Sequence, residues 1–183
     1  LRKELIKKDE SIEWDIGKLR KEIFKEKLKH IRPASLRNQI VNDAFEIFID
    51  KRHLIKLYDG VEDSLKILSK KYELGVLTNG NANIYKFEIG RYFKFSISSL
   101  EAKDNKPNRS HFDEASKKLE GIKFDEMLHI GDHQINDIIG ANNLGINTLW
   151  FNNNNNEWEQ DSKKPDEFSS WKKLPEIIEK YYG

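Results

Sequence analysis

Residues 127–152 read MLHIGDHQINDIIGANNLGINTLWFN. The stretch opens on an apolar run, Met127-Leu128-His129-Ile130, turns at Gly131 and presents two aspartates, Asp132 and Asp137. Ile135, Ile138, Ile139 and Leu144 then fall at helical spacing up to Gly145, and Thr148-Leu149-Trp150-Phe151 forms a second apolar run. This order predicts strand, acidic loop, helix, strand, the repeating unit of a parallel α/β sheet. Ligands of such sheets sit beyond the carboxyl ends of the strands, where both aspartates fall.

The surrounding chain is of domain size, 183 residues with 37% apolar and 34% charged positions. Its 32 Lys and Arg nearly cancel 31 Asp and Glu, so the totals carry no nucleic-acid or anionic-membrane footprint. There is no cysteine, which excludes disulfides, cysteine nucleophiles and thiolate metal sites and suits a reducing, cytoplasmic setting. No apolar run approaches the roughly 20 residues of a membrane span, and the opening Leu-Arg-Lys-Glu-Leu does not read as a signal peptide.

Residues 1–57 read as helical. Ile16, Leu19, Ile23, Phe24 and Leu28 make one stripe, which Pro33 ends, and Leu36, Ile40, Val41, Ala44, Phe45 and Phe48 make a second. From Tyr58 the pattern changes. Val61, Leu65, Leu68 and Tyr72 line a helix, and Leu74-Gly75-Val76-Leu77 is a strand ending in Thr78-Asn79-Gly80-Asn81. A helix around Ala82–Ile89, a strand over Phe93–Ile97, a loop carrying Lys106-Pro107 and a helix marked by Phe112, Ala115 and Leu119 follow. Four strands alternating with helices predict an α/β core over 58–183. The asparagine run at 152–156 reads as a surface loop or lid, and Leu174, Ile177, Ile178 and Tyr181 as a terminal helix packed on the sheet.

Three polar groups stand after separate strands or loops. Thr78-Asn79-Gly80 offers a hydroxyl, an amide and a glycine N–H, which together can hold an anionic oxygen, although Asn-Gly is also a common turn. Lys106, followed by stiff Pro107, can neutralise a phosphate. Asp132 and Asp137 suit a hard cation with oxygen ligands such as Mg²⁺; Asp137 could instead cap the following helix.

In this order and spacing the three groups resemble the motifs of the haloacid dehalogenase-like (HAD) hydrolase superfamily: LGVLTNG, Lys106-Pro107 and GDHQIND, over roughly residues 58–152. The resemblance implies a Rossmann-like parallel sheet with helices on both faces, and makes the helical first third, 1–57, a partial cap. It also implies a Mg²⁺-dependent phosphatase of small phosphorylated metabolites that works through an aspartyl phosphate. Thr78 would bind the transferring phosphoryl group with help from Asn79 and Gly80. Lys106 would hold that group, Asp132 would bind Mg²⁺, and Asp137 would support the metal or Lys106. Within the superfamily, LTNGNAN, Lys-Pro and LHIGD are most similar to a group that includes the 5-amino-6-(5-phospho-D-ribitylamino)uracil phosphatases.

One motif of the resemblance has no counterpart. The family's first strand ends in Asp-x-Asp, which carries the nucleophile and lies between the strands here ending at Thr78 and Ile130. Asp9, Asp15, Asp43 and Asp50 lie in or beside helical patterns instead. The expectation is therefore a sheet without its first central strand, in a chain lacking about 20 residues upstream, and inactive as it stands. A dehalogenase of the same family is a second reading, against which Asp132 argues. A non-catalytic module binding an anion or a partner is a third. His133, beside Asp132, is a candidate substrate contact, whereas His129 reads as a packed strand residue.

Overall fold

The computed structural model describes residues 1–182; Gly183, the last residue of the expected core unit, lies outside the described residues. The first part of the chain is helical, with α1 (Arg2–Lys8), α2 (Ile16–Lys27) and α3 (Ala34–Arg52). Asp15 starts α2 by accepting a hydrogen bond from Lys18 N at 2.8 Å, which satisfies one of the otherwise unpaired N–H groups of a first turn. Pro33 stands immediately before α3, where its missing N–H costs nothing. α2 and α3 pack as a hairpin, and Ile12 and Val41 are buried among them.

The α/β part runs α4 (Val61–Leu68), β1 (Gly75–Thr78), β2 (Phe95–Ser98), α5 (Ser99–Ala102), α6 (Ser110–Lys118), β3 (Leu128–Gly131), α7 (Gly140–Asn142), β4 (Asn147–Phe151), β5 (Asp166–Phe168) and α8 (Leu174–Tyr182). Every strand pairing is parallel. Two apolar layers sandwich the strands. On one face Leu68 of α4 and Leu174 and Ile178 of α8 meet Leu149, Phe151 and Phe168. On the other, α6 covers Phe95 and Ile97 through Ala115, while Phe112 packs with Ala141 and Ile146. Each fully buried aliphatic or aromatic side chain contributes about 1.5–3 kcal/mol, so the two layers are the main cohesion of the fold. This is the expected α/β arrangement with helices on both faces.

The strands fall into two groups, β1–β2 and β3–β4–β5, with no ladder between β1 and β3. The two strands expected to flank an absent central strand thus do not pair with each other. Their carboxyl ends carry the polar groups singled out above.

Two local readings change, and a fifth strand is added after the asparagine loop. The expected helix around Ala82–Ile89 is two 3₁₀ turns, Ile84–Lys86 and Glu88–Tyr92, separated by extended Phe87. Asn83 caps the first through its side chain, and Gly90 packs so close to the Ile84 carbonyl that a methyl group there would lie 2.6 Å from it. That close return is tighter than an α-helix allows. The helix after Asp132 is a π-turn over Gln134–Ile139 before it becomes α7. The asparagine run leads to a fifth strand, since Asn152 is buried and bonds both Asn156 and Glu167, closing the turn that brings β5 beside β4. Phe168 is the single apolar side chain of that three-residue strand, too little for a period-two signal.

Candidate functional site

Lys106 is the centre of the site. Its side chain is 7% exposed, and its ammonium donates to Asp137 Oδ1 at 2.6 Å and to the Leu77 carbonyl at 2.8 Å. Two devices fix it. Asn79 embraces its backbone, Nδ2 donating to Lys106 O and Oδ1 accepting from Lys106 N, both at 2.8 Å. Gly140 lets the π-turn close on the following residue, because a methyl group there would lie 2.9 Å from Pro107 Cα. The Asn79 side chain is therefore occupied with positioning Lys106. Thr78 Oγ1 accepts from Gly80 N at 2.9 Å, which shapes the turn at the end of β1.

Asp137 is reached from β3 through Gly131. Any side chain at Gly131 would run into the Asp137 carboxylate. The wide π-turn aims that carboxylate back at the strand end, where Oδ2 accepts from His133 N at 3.0 Å and Oδ1 lies 3.4 Å from His129 Nε2. Burial by itself raises the Asp137 carboxyl. The hydrogen bond from His129 and the charge and hydrogen bond of Lys106 outweigh it, and hold the group well below the usual carboxylate range. Burial pushes His129 down, as does Lys106, so its ring is neutral at pH 7. Asp137 is not a helix cap. His133 fills that position, its Nδ1 accepting from Ile135 N and Asn136 N.

Asp132 differs from Asp137. Its residue is exposed, and its backbone is held by Trp150, whose indole Nε1 donates to the Asp132 carbonyl at 3.0 Å from a 1% exposed position on β4. The loop is thus anchored while the carboxylate faces solvent. As a test of Mg²⁺, the donor set fits in part. Asp132 offers a free carboxylate, both oxygens of Asp137 are already engaged, and among the described residues no group of three or more acidic or histidine side chains could enclose a metal ion. Mg²⁺ commonly takes one or two carboxylates and completes its shell with water and phosphate oxygens, a role open to Asp132.

Two positioning residues escaped the sequence reading. His111 is fully buried on α6, with Nε2 3.2 Å from the Thr78 carbonyl, and Trp150 holds the Asp132 loop. An isolated histidine or tryptophan inside an apolar pattern carries no spacing signal, so neither was recoverable from sequence alone. Of the four upstream aspartates, Asp9 and Asp15 cap helices and Asp43 and Asp50 lie on α3; none follows a strand.

A cleft of about 460 Å³ lies between the helical hairpin and the ends of β1 and β2, walled by Trp14, Phe45, Ile49, Gly80, Asn81 and Ser98 among others. Hydrogen bonds from Asn105 Nδ2 to Glu13 O (3.0 Å) and from Asn83 N to His53 Nε2 (3.2 Å) join the two parts beside it.

A parallel α/β core with a strand-end hydroxyl, a buried lysine and a Gly-Asp turn defines a class of hydrolase. Residues 3–151 match the family model described as haloacid dehalogenase-like hydrolase, and the chain belongs to that family. It is 33% identical over 113 residues to the 5-amino-6-(5-phospho-D-ribitylamino)uracil phosphatase YigB of Escherichia coli K12, covering 62% of this chain and 47% of that protein. It is 25% identical to the pyrimidine 5'-nucleotidase PynA of Streptococcus pneumoniae over 87% of this chain and 73% of that protein. The chain thus spans about half the length of the first of these relatives. The solved structure of a 2-haloacid dehalogenase from Pseudomonas syringae pv. Tomato DC3000 superposes with a TM-score of 0.91 at 29% identity, over 98% of this chain and 78% of that one.

Proposed function

We propose that the chain carries the phosphoryl-binding part of a Mg²⁺-dependent phosphatase acting on small phosphorylated metabolites, with residues 1–57 as a helical cap over it. The observation that carries this reading is Lys106, a buried ammonium held at the carboxyl ends of β1 and β3 by Leu77 O, Asp137 and Asn79. Such a charge, already desolvated and oriented, stabilises negative charge on phosphoryl oxygens without reorganising first. The Thr78 hydroxyl, which accepts from Gly80 N, would donate to the same oxygens beside the Asn79 amide. Asp137 holds the Lys106 ammonium in place at 2.6 Å, and His111, neutral, meets the Thr78 carbonyl. Mg²⁺, when bound at Asp132, would supply further neutralisation of phosphoryl charge. In the whole protein the attacking group is expected to be an aspartate that forms an aspartyl phosphate. The names of the phosphatase relatives support the substrate class.

A second reading, a dehalogenase, is favoured by the likeness to the 2-haloacid dehalogenase that superposes at a TM-score of 0.91. The free carboxylate of Asp132 after Gly131 favours the phosphatase. The test is phosphate release from an aryl phosphate by the whole protein, expected to need Mg²⁺ and to stop in EDTA. Halide release from a 2-haloacid that is indifferent to EDTA would replace the proposal by the second reading.

A further inference from the structure

The helical hairpin carries two arginines on one aromatic ring. Arg20 of α2 stands with its guanidinium carbon 3.8 Å from the Phe48 ring centroid, and Arg52 of α3 stands 5.8 Å from the same centroid. The arginine ion pairs among the described residues are Arg91–Glu62 and Arg109–Asp113, and neither Arg20 nor Arg52 forms one. Arg20 Nε is moreover buried without a hydrogen-bond partner. Two neighbouring cations without a carboxylate between them leave a local positive charge unanswered by the protein itself.

Arg52 reaches across to the α/β part. A methyl group on Gly80 would lie 3.2 Å from Arg52 Nη2 and 3.1 Å from Thr78 Oγ1, so guanidinium and hydroxyl flank one point above the 78–80 turn. Phe45, Ile49 and Arg52 recur at helical spacing along α3, and the first two line the cleft that Gly80 also lines. Asn81, in the same wall, has a buried Oδ1 with no donor. The cleft end at Gly80 therefore gathers an unpaired cation and a hydroxyl.

From this we infer that Arg52, beside Phe48 and neighboured by Arg20, is a further ligand of the phosphate group bound at the Thr78-Asn79-Gly80 turn, an assignment that rests on the phosphoryl-binding reading of that turn. The guanidinium donates to a phosphate oxygen while the turn holds the others, and the planar fork matches two oxygens at once. Anion and arginine together would then join the helical hairpin to the strand end.

The experiment is a calorimetric titration of inorganic phosphate into the chain and into Arg52→Gln, Arg52→Lys and Thr78→Val, with far-UV circular dichroism to show that each is folded. Arg52 is exposed on α3, so its replacement is expected to leave the fold intact. The expected result is about a tenfold weaker Kd in Arg52→Gln, the worth of one charge-assisted hydrogen bond at a partly exposed site, partial recovery in Arg52→Lys, and weakening in Thr78→Val. Unchanged affinity in Arg52→Gln beside a loss in Thr78→Val would overturn the inference and leave the turn as a phosphate site. Loss in Arg52→Gln with none in Thr78→Val would place the anion on the hairpin alone, overturning the shared site. Absence of phosphate binding to the unaltered chain would overturn both the inference and the reading of the turn.

Discussion

Replacing Asp137 by Leu removes the counter-charge of a lysine that is 7% exposed. The Lys106 ammonium keeps one partner, the Leu77 carbonyl at 2.8 Å, and a carbonyl dipole does not compensate a buried cation. Removing one member of such a pair costs about 3–5 kcal/mol. Lys106→Met costs less, about 1.5–3 kcal/mol, the worth of hydrogen bonds to a charged group, because the Asp137 carboxylate keeps His133 N at 3.0 Å and His129 at 3.4 Å. The double variant Lys106→Met/Asp137→Leu carries neither charge, and apolar replacement of a buried pair is often close to neutral. The two single losses are therefore expected not to add, with a coupling of about 4.5–8 kcal/mol, close to the sum of the two single losses. Urea melts followed by circular dichroism read this directly. With a slope of about 2 kcal/mol per molar, Asp137→Leu shifts the midpoint down by about 2 M while the double variant recovers most of the shift. Should Asp137→Leu be unfolded without urea, recovery of folding in the double variant carries the same information. Additivity within about 0.5 kcal/mol would refute the claim that the pair is a single buried unit.

The same site yields two further predictions. Gly131→Ala forces a methyl group into the Asp137 carboxylate, and should cost about 1–3 kcal/mol in the same melts; an unchanged midpoint would mean that Asp137 moves aside freely. His111 has its pKa lowered by burial, with the Thr78 carbonyl opposing and the Lys106 charge adding to the effect. Its folded pKa lies below the unfolded value of about 6.5, so the unfolded chain binds the extra proton first. The stability it contributes is then complete above about pH 6.5 and lost as pH falls below it. His111→Gln should flatten the loss of stability between about pH 6.5 and 5. His129, lowered by burial in the same direction, leaves a residual slope. A profile unaltered by the substitution would show His111 titrating alike in both states.

The α/β core was legible because its signals are local. Val61, Leu65 and Leu68 are buried on one face of α4 as their spacing predicts, and Gly131 and Gly145 bound the segment that carries Asp137. Thr78, Lys106 and Asp137 were recoverable because the turn chemistry around each confines it to a strand end or loop. What the spacing could not convey is which partner each polar group chooses. Asn79 looks as able to bind an anion as to hold a backbone, and only the approach of the 105–107 loop decides for the backbone. The π-turn was invisible for a similar reason, since Ile135, Ile138 and Ile139 suit either helix, and the choice depends on Asp137 reaching back past Gly131. β5 depends on the turn closed by Asn152, a contact across 15 positions to Glu167.

Between β1–β2 and β3–β4–β5, at the place where the resemblance puts a further central strand, this chain carries a seam rather than a ladder. Ladder hydrogen bonds join backbone to backbone and do not respond to chemistry at a strand end. Along this seam a polar fastening is Lys106, tied to β1 at Leu77 and to the other half through Asp137. Apolar contacts of Leu77 with the Phe112 layer fill in beside it. The lysine proposed to meet an anion thus also links the two strand groups of this chain. Loss of either Lys106 bond would leave the two strand groups joined beside it by apolar contact alone.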